Sequence, residues 1–146
     1  SGPRTVPRRG SPALVAPLDV KTVAYDGSGE LPHFNPALDD GKPPEIVAKF
    51  RAAVAGADAL MISSPEYAHG VPGTLKNALD WLVGDLEFAG KSAWLFNPLP
   101  RATNALASLE DILRTMAACV VAEASNTLPL SGRGFDDGAI EGESAL

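Results

Sequence analysis

The sequence predicts an α/β fold in which helices cover a parallel sheet, and three observations carry the prediction. Short β-rich runs alternate with longer segments of helical period, in the order β–α–β–α–β–α–β. Two of those runs, "ALMIS" (59–63) and "SAWLF" (92–96), are continuously apolar, as strands covered on both faces are. The intervening segments each carry one apolar stripe, so each has a face to lay against a sheet. Strands that alternate with helices join by right-handed crossovers and stack helices on both sheet faces.

Each element has its own local reason. "VKTVAY" (20–25) is rich in β-formers and ends at the turn signal "DGSG". "LPHFNPALDDGKPP" follows, a loop punctuated by four prolines. "EIVAKFRAAVAGA" sets Ile46, Val47, Phe50 and Val54 on one helical face, with Gly56 placed to end it. "GTLKNALDWLVGDL" repeats the pattern with Leu75, Leu79, Trp81 and Leu82, and "ATNALASLEDILRTMAA" with Leu106, Leu109, Leu113 and Met116. "CVVAEAS" closes the alternation as a strand, and the acidic, turn-rich tail shows no element. One domain is expected over 1–146, with 1–18 irregular and 126–146 an irregular tail.

Composition excludes several classes. A net charge of −6 argues against a nucleic-acid partner, since phosphate affinity rests on Lys and Arg. Arg4, Arg8 and Arg9 precede any acid, so −9 falls on the rest, and that basic start reads as a disordered end. A single cysteine, Cys119, rules out an internal disulfide and sits in an apolar run that suggests a buried structural thiol. Two histidines, His33 and His69, leave too few ligands for a zinc site. No run approaches the ~20 apolar residues of a membrane helix, and no signal-peptide core opens the sequence. These features point to a soluble, cytoplasmic protein.

Two stretches imitate nucleotide motifs. "YDGSGELP" starts like a dinucleotide fingerprint with Gly27 and Gly29, but Pro32 takes the third position and no helix opens there. "GDLEFAGKS" ends like a phosphate loop at Gly90, Lys91 and Ser92, yet its spacing is wrong by one, with Asp85 where the first glycine belongs, and it leads into a strand. The first reads as a surface turn, the second as a helix end and strand start.

The loop "SPEYAHGVPGTLKNALDWL" (64–82) carries the chemistry. Pro65 biases Ser64 to extended backbone and ends the strand. Gly70 and Gly73 permit positive φ or close backbone approach, and Pro72 sets φ at a helix start. Such a rigid loop presents backbone N–H and C=O groups in a fixed array, beside a helix N-terminus that favours negative charge. Glu66 and Tyr67 add an acceptor and an aromatic surface. A plain βα connection, with Glu66 solvated and Tyr67 packed on the helix, is the other reading. In open α/β sheets, ligands sit at the carboxyl ends of strands near the reversal of strand order.

The same stretch resembles the signature of the NADPH-dependent FMN reductase family, P-E-Y-x-x-G-x-P-G-x-L-K-N-A-x-D-W. Pro65, Glu66, Tyr67, Gly70, Pro72, Gly73, Leu75, Lys76, Asn77, Ala78, Asp80 and Trp81 match. "YDGSGELPHFNPALDD" and "FNPLPRATNALASLEDILRTMAA" resemble further segments, so the likeness runs from about Val20 to Glu123. It implies a flavodoxin-like three-layer α/β/α fold and non-covalent FMN at the strand ends. By resemblance Pro65, Glu66, Tyr67 and Gly70 line the flavin ring, largely through backbone. Asn97, Pro98, Arg101 and Ala102 face the same ring from the next loop. NADPH or NADH then passes hydride to the flavin, which reduces a quinone, another flavin or a similar small acceptor, and no acid–base side chain is needed. His69 either contacts the ring or the nicotinamide, or caps the helix start.

The resemblance also implies a homodimer or homotetramer, with Trp81 and Leu82 either subunit anchors or ordinary core. The family's opening strand, its phosphate loop and its last helix have no counterpart here, Ser1, Gly2 and Arg4 being at most remnants of the phosphate loop. Either segments are trimmed, or the chain is a degenerate paralogue that cannot hold phosphate. The alternative to an enzyme is a non-catalytic flavodoxin-like module, an electron carrier or a flavin-free binding protein.

Overall fold

The structure, a computed structural model, describes residues 20–97 and 103–121. Backbone proximity divides the chain into two units, Ser1–Ala24 with Gly132–Leu146, and Tyr25–Ser131. All the regular elements among the described residues belong to the second. They are α1 (Pro36–Asp39), α2 (Glu45–Ala55), β1 (Ala59–Ser63), α3 (Gly73–Asp80), β2 (Ser92–Phe96), α4 (Thr103–Thr115) and β3 (Cys119–Val120), preceded by a 3-10 turn at Gly27–Glu30. The irregular ends expected at 1–18 and 126–146 lie outside the described residues.

The three strands are parallel in the order β1-β2-β3. Ala59 pairs with Ser92 and Ser63 with Phe96, and Cys119 pairs with Ser92. Among the described residues strand order therefore advances in one direction without reversal. Right-handed crossovers that advance steadily across a sheet set their helices on one face, and only a reversal transfers them to the other. The core follows that rule. Leu60, Ile62, Ala93, Leu95 and Val120 share one face through the register and meet Val47, Phe50 and Val54 of α2, Leu79 of α3, and Leu109 and Leu113 of α4. At Leu109 and Leu113, both almost fully buried, truncation to Ala would cost about 2–5 kcal/mol.

Three expectations change here. "ALMIS" and "SAWLF" form strands with the expected bounds, but they alternate in burial instead of being covered on both faces. Met61 and Trp94, paired in register, are 40% and 37% exposed on the opposite face. Cys119 belongs to that face and is exposed, not buried, because an apolar run does not say which side its helices will take. Residues 20–25 form no strand. A ladder needs a paired backbone, and none of the described strands pairs with 20–25.

A four-residue helix, α1, interrupts the proline-rich loop. Asn35 caps it by accepting the Ala37 N–H at 3.0 Å, and Pro36 fills the position where a missing N–H costs nothing. Arg51 of α2 then ties three segments. Its guanidinium donates to both Asp39 oxygens at 2.8 and 3.0 Å, and also to the Trp81 carbonyl at 2.6 Å, one of the orphan acceptors at the end of α3.

Both nucleotide look-alikes resolve as turns. A Cβ on Gly27 would lie 2.8 Å from the Tyr25 hydroxyl, so the glycine leaves room for a tyrosine. Lys91 donates to the carbonyls of Ala55 and Ala57 at 3.0 and 2.8 Å, closing the C-terminus of α2 where a cation suits the helix dipole. Gly90 holds φ at +79°, the conformation that turns the chain into β2.

Candidate functional site

The loop between β1 and α3 leaves the sheet at its carboxyl edge. Ser63 is the last paired residue of β1, and Pro65 follows two residues later. Tyr67 and Gly70 then exchange two backbone hydrogen bonds, at 3.2 and 3.0 Å, around the two-residue tip Ala68-His69. Both tip residues have positive φ, 49° and 60°, as the central pair of a type I′ turn requires. The positive φ thus falls on Ala68 and His69 and not on Gly70 or Gly73, because the hydrogen-bonded pair brackets the tip and sets the sign for whatever lies between. An L-residue in that region costs roughly 1–2 kcal/mol, so the tip stores strain.

Glu66 connects this loop to another element. Its Oε2 accepts the backbone N–H of Ala105 at 2.8 Å, in the first turn of α4. A carboxylate at a helix N-terminus meets free N–H groups and the positive end of the dipole. The Ala105 N–H is the main cause that holds the Glu66 carboxyl below its ordinary value, with Asn104 and His69 adding to it and desolvation opposing. The side chain is only 13% exposed. Glu66 is therefore neither a solvated residue nor free to turn towards a ring.

His69 belongs to the same cluster. Its Nδ1 lies 3.0 Å from the Asn104 amide nitrogen and 3.2 Å from Glu66 Oε1. With Nδ1 unprotonated the ring accepts from Asn104; with Nδ1 protonated it donates to Glu66. It does not cap α3, whose N-cap Pro72 supplies no side-chain bond. Tyr67 is 68% exposed and does not pack on the helix.

The loop backbone carries unpaired donors. Among the described residues, the N–H groups of Glu66, Ala68, His69 and Val71 have no protein partner, and the N-terminus of α3 lacks a side-chain cap. Asn97 follows β2 directly and is 3% exposed, the buried polar residue of the described core. Pro98, Arg101 and Ala102 lie outside the described residues, as do Ser1 and Arg4. Sequence reasoning missed Asn104 and Ala105; the signal was "TN", cap-forming residues at the start of an apolar helix.

The second half of the stretch is a folding device. Asn77 accepts the Phe34 N–H at 2.8 Å and donates to the Pro32 carbonyl at 3.0 Å. One turn later Trp81 donates to that same carbonyl at 2.8 Å and meets the Phe34 ring edge-on, 5.1 Å between centroids. Trp81 is 0% and Leu82 3% exposed, so both are core residues and not subunit anchors. Lys76 and Asp80 pair along the exposed face of α3.

Comparison with known proteins gives a consistent picture. Residues 12–130 match the family described as NADPH-dependent FMN reductase. A quinone reductase of Pseudomonas putida is 41% identical over 70 residues, 48% of this chain and 36% of that protein. A 2-hydroxy-1,4-benzoquinone reductase of a Burkholderia species is 42% identical over 82 residues, 56% of this chain and 42% of that protein. Among solved structures, FerB of Paracoccus denitrificans, a flavoenzyme NAD(P)H:(acceptor) oxidoreductase, superposes with a TM-score of 0.59 at 27% identity, covering 81% of this chain and 63% of that one. The chain spans less than half the length of the curated relatives it matches.

Proposed function

The chain belongs to the NADPH-dependent FMN reductase family, with a flavodoxin-like fold, and from that premise we propose that it is an FMN-dependent NAD(P)H oxidoreductase. Its substrates are NADPH or NADH and a small acceptor, a quinone or another flavin. The observation that carries this reading is the unpaired backbone array of the β1–α3 loop, at the strand edge where doubly wound sheets bind ligands. When bound, FMN supplies the redox chemistry, taking hydride from the nicotinamide.

The protein's part is to bind and orient. The N–H groups of Glu66, Ala68, His69 and Val71 offer donors to the ring's acceptor edge, and the exposed Tyr67 gives an aromatic surface beside it. Pro65 and Gly70 fix and narrow the loop. Asn97, with Pro98, Arg101 and Ala102, approaches the ring from the end of β2, and Ser1 and Arg4 belong at the phosphate. His69, its Nδ1 held by Glu66 and Asn104, presents the rest of its exposed ring to the flavin or the nicotinamide. None of the described helices is long and apolar enough to cross a membrane; a cytoplasmic homodimer or homotetramer completes the proposal.

A direct experiment is flavin titration. The purified chain should bind FMN stoichiometrically, and the yellow complex should bleach on adding NADPH and recover with a quinone. A protein that ignores FMN sinks the proposal; one that binds FMN but does not bleach is a carrier or binding module instead.

A further inference from the structure

Resting on the flavin reading, we infer that Glu66 is a positioning residue: its carboxylate clamps the Ala68–His69 tip to the start of α4 and so presets the β1–α3 loop for the ring. Three observations converge on it. Ala68 and His69 hold φ at 49° and 60° without glycine at either place. Such strain persists only where the surroundings over-determine the backbone. The two Tyr67–Gly70 hydrogen bonds close the turn upon itself but tie it to nothing else.

Glu66 supplies the external tie. One oxygen accepts the Ala105 N–H at 2.8 Å, and the other lies 3.2 Å from His69 Nδ1, inside the strained tip. Asn104, at the start of the same helix, reaches that ring nitrogen at 3.0 Å. One carboxylate therefore spans the residue before the turn, a residue within it and a separate helix. The chemistry of the clamp is acceptance of an amide proton at a helix start, and it leaves the N–H groups of Glu66, Ala68, His69 and Val71 free for the ring. The Glu66 carboxylate acts through the turn without touching the flavin.

A plain helix cap would share the Ala105 bond, so the test must separate the two roles. In the full chain, Glu66→Ala should raise the FMN dissociation constant roughly tenfold, the scale of one charge-assisted hydrogen bond. Glu66→Gln, which keeps an acceptor oxygen, should fall between. Without FMN, amide exchange measured by NMR should quicken at Tyr67 and Gly70 as well as at Ala105. Ala68→Asn installs a residue that type I′ turns favour and should recover most of the lost affinity in the Glu66→Ala background. Faster exchange at Ala105 alone, or the same loss of affinity with and without Ala68→Asn, overturns the inference and leaves a helix cap. If the wild-type chain binds no FMN while the exchange pattern holds, the flavin reading falls and the clamp stands.

Discussion

The indole nitrogen of Trp81 donates to the carbonyl oxygen of Pro32 at 2.8 Å, across 49 positions of sequence. Asn77, one helical turn earlier, donates to the same oxygen and accepts from Phe34. Half of the family signature thus fastens α3 to the segment before α1, while the other half shapes the loop. Since Asn77 satisfies three backbone groups of that segment, counting Leu31, Asn77→Ala should cost about 2–3 kcal/mol in denaturant unfolding. Trp81→Phe should cost about 1–2 kcal/mol, and the double variant less than the sum, because the Pro32 carbonyl is shared.

Arg51 should prove hard to replace. Arg51→Ala loses the bidentate pair to Asp39 and uncovers the Trp81 carbonyl, for an expected loss of about 2–3 kcal/mol. Arg51→Lys should recover little of it, since one ammonium cannot serve both partners in those directions. Thermal melts of the two variants check this, and a lysine variant as stable as wild type contradicts it.

Acid should weaken the fold through two carboxylates. Hydrogen bonding from Arg51 holds Asp39 below its ordinary 3.8, and the Ala105 N–H holds Glu66 below 4.5. A depressed folded-state value gives stability that is present above the unfolded value and is lost as pH falls through the folded one. The melting temperature should therefore vary little through these groups above pH 4.5 and drop below it. Asp39→Asn should start lower at neutral pH and fall less steeply; identical slopes would show that Asp39 is not responsible.

Lys91 should matter to stability and not to nucleotides. Lys91→Met keeps the aliphatic stem but strips two carbonyls at the end of α2 of their donor, at an expected cost of about 1–2 kcal/mol. Magnesium ATP should leave the melting temperature of both forms unchanged. A clear rise for wild type alone would restore the phosphate-loop reading.

The alternation of strand and helix was legible because period and breakers are local. Pro65 after "ALMIS" and Gly90 before "SAWLF" bracket the two strands with no knowledge of the rest of the chain. α1 was hidden by its prolines, although the Asn35-Pro36 pair that starts it is itself a helix-start signal. In the site, the rigid loop was legible and its conformation was not. Two glycines suggested where φ would turn positive, yet the Tyr67–Gly70 pairing moved that burden to Ala68 and His69. Local sequence leaves Glu66 between a ligand acceptor and a solvated residue, because nothing near it announces that Ala105 stands opposite.

By itself the sequence determined the order of elements from α2 to β3, the strand-end loop after β1, and, through one long motif, the family. Tertiary structure decided which sheet face the helices cover, and so left Met61, Trp94 and Cys119 exposed. It also decided that residues 20–25 form no strand, and that Trp81 and Leu82 belong to the core. Propensity and period act within a few residues, whereas pairing, covering and clamping are free energies between segments tens of residues apart. Those depend on which partner arrives, and a local pattern does not carry that choice.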